Sequence, residues 1–178
     1  MSKQSRLLAV DASVLCAAGE KNGSGNSVAC AKTLTDILLI CHRVSITKEV
    51  LDEWNKHQSN FSKHWRASMN GKKKLKYVFA DSQSVKEQIT NKVPKQNTAE
   101  KSALLKDAHL LATALATDRI LVTADRKLHD LCLKHGIPEN RLEWIKVLST
   151  DLPDEKQKIS ARLHDLATTR PNPPPPTS

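Results

Sequence analysis

At 178 residues and 39% hydrophobic content, the chain can form one domain with a sizeable core and some length left over. Aromatic residues make up only 3%, so that core must be built from Leu, Ile, Val and Ala, and the formal net charge of +9 favours a polyanionic partner. No apolar run approaches a membrane span. Cys16, Cys30, Cys41 and Cys132 form no CxxC pair and no disulfide-like ladder. These features exclude a helical membrane protein and a disulfide-stapled secreted domain.

In chain order, residues 7–10 (Leu-Leu-Ala-Val) read as a buried strand that ends on Asp11. The segment before it, Met1 to Arg6, leads straight into that strand without a signal-peptide core, so a cytoplasmic protein is expected. Residues 22–26 (Asn-Gly-Ser-Gly-Asn) form a turn, and Ser27 can cap a helix over about 28–42. Residues 44–46 make a short second strand, and Thr47 caps a helix that runs to about Gln58. A poorly patterned basic stretch follows, helical in part, with breaks at Asn70-Gly71 and around Pro94. Asn97 and Glu100 have the spacing of a capping box for a helix over 98–117. A strand over 120–124 ends on Asp125. A helix over about 126–135 stops at Gly136, and a last strand lies near 144–148. Alternating strands and helices predict an α/β protein: a three-layer α/β/α sandwich around a mostly parallel sheet, spanning residues 1–150 with a basic helical and loop insertion at about 56–98. Residues 151–178 read as an extension, with a short helix around Ile159, Leu163 and Leu166 and then a disordered Pro-rich tail.

Acidic residues carry the functional signal. Asp11 and Asp125 each close an apolar run. In parallel α/β sheets the carboxyl ends of strands border the ligand crevice, although either residue could simply cap the next helix. On the helix over 98–117, Leu104, Ala108, Leu111 and Leu115 define the apolar centre and Asp107 falls inside that arc, where a carboxylate needs a partner. On the helix after Thr47, Glu53 borders the stripe of Val50, Leu51 and Trp54 more closely than Asp52 or Glu49, which leaves Glu49 in reserve. Four carboxylates in one cleft raise each other's pKa, and a hard divalent cation, Mg²⁺ or Mn²⁺, is the usual remedy. His129, Cys132 and His135 share a broad helix face, but their spacing suits a helix edge with one core cysteine better than zinc.

Positive charge is concentrated. Residues 56–101 carry eleven Lys and Arg against three acids. Within that stretch Lys72, Lys73, Lys74 and Lys76 are candidates for gripping a phosphate backbone, with a solvated face as the alternative. Trp65 and Tyr77 either stack on bases or pack locally.

Three pieces, LLAVDASVL (7–15), VSITKEVLDEW (44–54) and KDAHLLATALATDRILVTADRKL (106–128), together resemble the PIN-domain ribonucleases, over roughly residues 6–148. The last piece is the most specific. The resemblance implies that Asp11, Glu53, Asp107 and Asp125 are an acidic tetrad that binds Mg²⁺ or Mn²⁺ and cleaves single-stranded RNA, with Ser13 and Thr123 as small polar supports. It also implies toxin-like relatives, and hence an antitoxin partner or a homodimer. Lys127 stands where many members carry a further acid, and the stretch at 56–98 is longer than a minimal toxin needs. A haloacid-dehalogenase phosphatase, which would need an acid two residues after Asp11, is disfavoured by Ser13. The remaining alternative is a PIN-like domain that binds RNA or protein without cutting.

Overall fold

The computed structural model describes residues 4–19, 25–147 and 153–169. Five strands, β1 (Leu7–Val10), β2 (Arg43–Ile46), β3 (Leu75–Tyr77), β4 (Ile120–Thr123) and β5 (Glu143–Lys146), form one sheet in the order β3-β2-β1-β4-β5. Every pairing is parallel. Burial follows position: β4 is buried along its whole length, whereas the edge strands β3 and β5 keep exposed side chains. The core is aliphatic, as composition requires, with Trp54 and Trp65 in an edge-to-face pair as its aromatic members.

The described helices are α1 (Ala12–Ala17), α2 (Gly25–Leu39), α3 (Lys48–His57), α4 (Asn60–Gly71), α5 (Gln83–Lys92), α6 (Thr98–Lys106), α7 (Ala108–Leu115), α8 (Arg126–His135) and α9 (Pro153–Thr168). Helices α1 to α4 pack among themselves and with α9, and α5 to α8 form a second group. The chain winds from β1 outward to β3, returns to β4, and winds outward again to β5. Right-handed crossovers therefore put the two helix groups on opposite faces. This is the expected α/β/α sandwich, and its winding reverses between β1 and β4. At the carboxyl ends of those two strands lies the crevice where doubly wound sheets bind ligands.

Several boundaries differ from expectation. The helix predicted for 98–117 is broken: α6 ends at Lys106, Asp107 adopts a turn conformation (φ −96°, ψ 6°), and α7 starts at Ala108. The break takes one residue, so Leu104, Ala108 and Leu111 stay buried on one side and the apolar period reads through it. The capping box does not form; Asn97 makes no cap bond, and Glu100 instead pairs with Lys134 and His135, both at 2.7 Å. Helix α2 begins at Gly25, two residues before Ser27, and ends at Leu39; most of the predicted turn before it lies outside the described residues. The basic stretch contains an unpredicted strand, β3. Helix α9 is longer than the short helix expected and buries Leu163, Leu166 and Ala167. Arg6 holds its carboxyl end, donating from Nε to the Leu166 carbonyl (3.0 Å), while buried His42 contacts the Leu163 carbonyl through Nε2 (2.6 Å). The Pro-rich tail lies outside the described residues. Among the described residues no helix is long and apolar enough to cross a membrane.

Candidate active site

A cleft of about 260 Å³ opens at the carboxyl edge of the sheet, lined by Asp11, Glu53, Asp107 and Asp125 together with Ser13, Cys16, His57, Lys106 and His109. Four separate chain segments deliver the four acids. Asp11 leaves β1 and caps α1, accepting from the Ser13 N–H (3.2 Å). Asp125 leaves β4 and caps α8, accepting from the Leu128 N–H (3.0 Å). Asp107 precedes α7, whose first turns donate back to its carbonyl. Three of the carboxylates thus stand at helix N-termini, where the aligned peptide dipoles offset part of their mutual repulsion.

Glu53 arrives on α3. Thr47 caps that helix through the Val50 N–H (3.3 Å), and Trp54 Nε1 donates to the Val10 carbonyl (3.0 Å), one residue before Asp11. That buried indole bond fixes the rotation of α3 and sets the neighbouring Glu53 against the cleft. Glu49 does not line the cleft; its carboxyl is held below the usual range by its own N–H and the Thr47 hydroxyl, a first-turn capping role.

Two hydroxyls organise the centre. Ser13 Oγ and Thr123 Oγ1 both donate to Asp11 Oδ2, at 2.7 and 2.6 Å. Ser13 Oγ then accepts from the Ala124 N–H (3.1 Å) and Thr123 Oγ1 from the Asp125 N–H (3.0 Å). The ends of β1 and β4 are therefore stitched together through the acid itself. Lone-pair counting leaves Asp11 one acceptor direction on Oδ1, Asp125 its whole Oδ2, and Asp107 both oxygens. Glu53 has only loose ion pairs to Lys56 and His57, both at 3.6 Å.

Asp107 concentrates the electrostatic strain. Burial raises its carboxyl from 3.8 to about 7, helped by the charges of Asp11, Asp125 and Glu53 and opposed by Lys106. Among the described residues no salt bridge neutralises Asp11, Asp107 or Asp125. Nor do any three His, Cys, Asp or Glu side chains there already stand at a spacing that holds a metal ion. The donor chemistry nevertheless fits a hard cation: all-oxygen ligands with free lone pairs, carried to one cleft by three helix starts.

The expected lysines are elsewhere. Lys72, Lys73 and Lys74 precede β3, so they lie at the amino edge of the sheet, opposite the cleft, while Lys76 sits within β3 beside Ser45. Lys74 is half-buried, and its Nζ donates to the carbonyls of Ile37, Leu38 and Ile40 at the end of α2. Burial lowers its pKa. Trp65 is buried with Nε1 on the Leu34 carbonyl (2.6 Å), so it packs and does not stack on bases; Tyr77 is exposed. Sequence reasoning missed Cys16, His57, Lys106 and His109, which come to the cleft through helix rotation and carry no spacing signal of their own. His129 and His135 are engaged with Asp130 and Glu100, and burial pushes the Cys132 thiol up to about 12, which makes it a poor zinc ligand. Neither the protein-family models nor the curated proteins compared with this chain match it.

Proposed function

We propose that this protein is a metal-dependent endoribonuclease of PIN-domain type, hydrolysing phosphodiester bonds in single-stranded RNA, with Asp11, Glu53, Asp107 and Asp125 as its acidic tetrad. The observation that carries this reading is the convergence of those four carboxylates, from four chain segments, on one cleft at the point where the winding of the sheet reverses. Asp11, Asp107 and Asp125 would hold Mg²⁺ or Mn²⁺. A cation bound there would cancel the repulsion and supply Lewis-acid stabilisation of the charge that develops on the phosphate. Glu53, whose oxygens are held only loosely by Lys56 and His57, orients the attacking water and takes up its proton. Ser13 and Thr123 hold Asp11 in one rotamer. Lys106 at the cleft wall and exposed Arg126 and Lys127, directly after Asp125, are the cations placed to contact phosphates, in preference to Lys72–Lys74.

The test is cleavage of a labelled single-stranded RNA pool with Mn²⁺, with EDTA, and by the Asp11→Asn variant. Cleavage should require both the metal and Asp11, falling at least about 10³-fold without either. Cutting that survives EDTA and the substitution would overturn the assignment. RNA bound but never cut, with no rise in melting temperature on adding Mn²⁺, would leave a binding module in its place.

A further inference from the structure

Strand β3 is an edge strand, and its ladder continues one residue past Tyr77, where the Val78 N–H donates to the Ile46 carbonyl (3.0 Å). Side chains alternate along a strand, so Leu75 and Tyr77 share a face of β3, and Phe79 follows two residues beyond its end. Leu75 packs against the core, whereas Tyr77 is 74% and Phe79 90% exposed. The whole chain has two Phe, three Trp and one Tyr, so a third of its aromatic side chains stand in water within three residues of each other. Each ring left unburied forgoes the gain that burial of its apolar surface would bring. In a protein this poor in aromatics, that arrangement calls for a partner.

Its position narrows the partner. All strands run the same way, so the exit from β3 is on the carboxyl edge that holds Asp11 and Asp125. It lies two strands from β1, or about 10 Å across the sheet at ~4.8 Å per strand. An added peptide strand is disfavoured, because β3 is three residues long and carries Lys76, both devices that blunt an edge. Most cations of residues 56–101 are not at this exit, since Lys72–Lys74 lie at the opposite edge, so what favours RNA here is that the rings share the carboxyl edge with the acids. In extended chain, positions two residues apart are about 6.6 Å from each other. Stacked bases are spaced by about 3.4 Å, so that gap accommodates one base with a ring on either side.

We propose that Tyr77 and Phe79 form a stacking clamp for a base of the single-stranded RNA, a few nucleotides from the bond presented to the acids. The clamp rests on the ribonuclease reading, names a substrate contact for it, and positions the strand without reading its sequence, because every base has a π-face.

The experiment is anisotropy of a labelled 12-nucleotide single-stranded RNA with the full chain in EDTA, which removes cleavage from the readout. Phe79→Ala should weaken binding about tenfold and the Tyr77→Ala/Phe79→Ala double variant further, while Phe79→Trp restores it. The salt dependence should not change, since no phosphate contact is lost. An oligomer of the same length with abasic residues throughout should bind wild type and double variant alike. Because both side chains are exposed, the melting temperature should hold. The clamp is overturned if wild type does not bind, or if the double variant binds base-containing RNA as tightly as wild type, including the case where the rings prove to serve a protein contact. Failure of the two readings is separable. Ring-dependent RNA binding without Mn²⁺-dependent cutting removes the nuclease and keeps the clamp; cutting without ring-dependent binding does the reverse.

Discussion

Replacing Asp107 by Asn should stabilise the metal-free protein at high pH and leave it unchanged at low pH. The Asp107 carboxyl rises from 3.8 to about 7 in the fold, through burial and three neighbouring acids. A gap of that size corresponds to roughly 4 kcal/mol of differential proton affinity, and its exposure to an open cleft reduces the effective value to about 2–3 kcal/mol. The folded chain keeps a proton that the unfolded chain releases, so the slope of stability with pH is negative through this window. The contribution is fully present below about pH 4, declines as pH rises, and above about pH 7 the whole penalty is in place. Asn has the same shape and no charge to lose. Urea or thermal melts in EDTA should therefore give equal stability for wild type and Asp107→Asn at pH 4, and a variant more stable by about 2–3 kcal/mol at pH 8, or about 5–10 °C. Adding Mg²⁺ at pH 8 should raise wild type and close the gap. An offset of the same size at every pH would refute the reasoning, because it would mean that packing, and not clustered charge, sets the cost at this position.

Thr123→Val removes a donor to Asp11 and the acceptor for the Asp125 N–H. It should cost about 1–3 kcal/mol in urea melts and lower kcat about tenfold with KM little changed; a fully active variant would show that the hydroxyl does not hold the acids. Lys74→Ala should lose about 1–2 kcal/mol, because Nζ closes the carboxyl end of α2. RNA affinity should not move, and a large affinity loss would return Lys74 to the RNA surface. His42 is fully buried, and that burial holds its pKa below the ordinary 6.5, with its Nδ1 accepting from the Arg6 N–H (3.2 Å). The fold refuses a proton that the unfolded chain takes up, so stability from this group is present above about pH 6.5 and lost as pH falls below it. Urea midpoints at pH 7.5 and 5.5 should show a smaller acid loss in His42→Asn than in wild type; equal losses would exclude His42 as the cause.

What was legible in the chain is what one residue's chemistry decides locally. Thr47 caps α3 as its hydroxyl predicts, Gly136 takes the left-handed conformation (φ 60°) that ends α8, and the run Ile120 to Thr123 is buried on both faces as a central parallel strand should be. The choice of Glu53 over Glu49 followed from the apolar stripe, and the structure lines the cleft with Glu53. What was not legible depends on partners distant in sequence. Leu75-Lys76-Tyr77 is a strand because β2 lies beside it, and three residues of mixed polarity carry no period that could say so. The turn at Asp107 was hidden by a helical pattern that resumes one residue later.

The misplacement of the lysines has a more general cause. A count of charge along a chain has no direction, whereas a parallel sheet has one. Helices that return antiparallel to the strands put their N-termini at the carboxyl edge and their C-termini at the amino edge. Acids that follow strands, Asp11 and Asp125, therefore meet helix N-termini and converge on the cleft. Cations that precede strands meet helix C-termini instead: Lys74 closes α2, and Arg6 closes α9. Lys92, on the helix α5, closes α8 through the Gly136 carbonyl (2.9 Å). Part of the positive excess that looks like an RNA surface is thus consumed in fastening helix ends. On the nuclease reading, the cations available to a substrate are those carried to the carboxyl edge, among them Lys106 beside Asp107, Arg126 and Lys127 beside Asp125, and Lys48 at the start of α3.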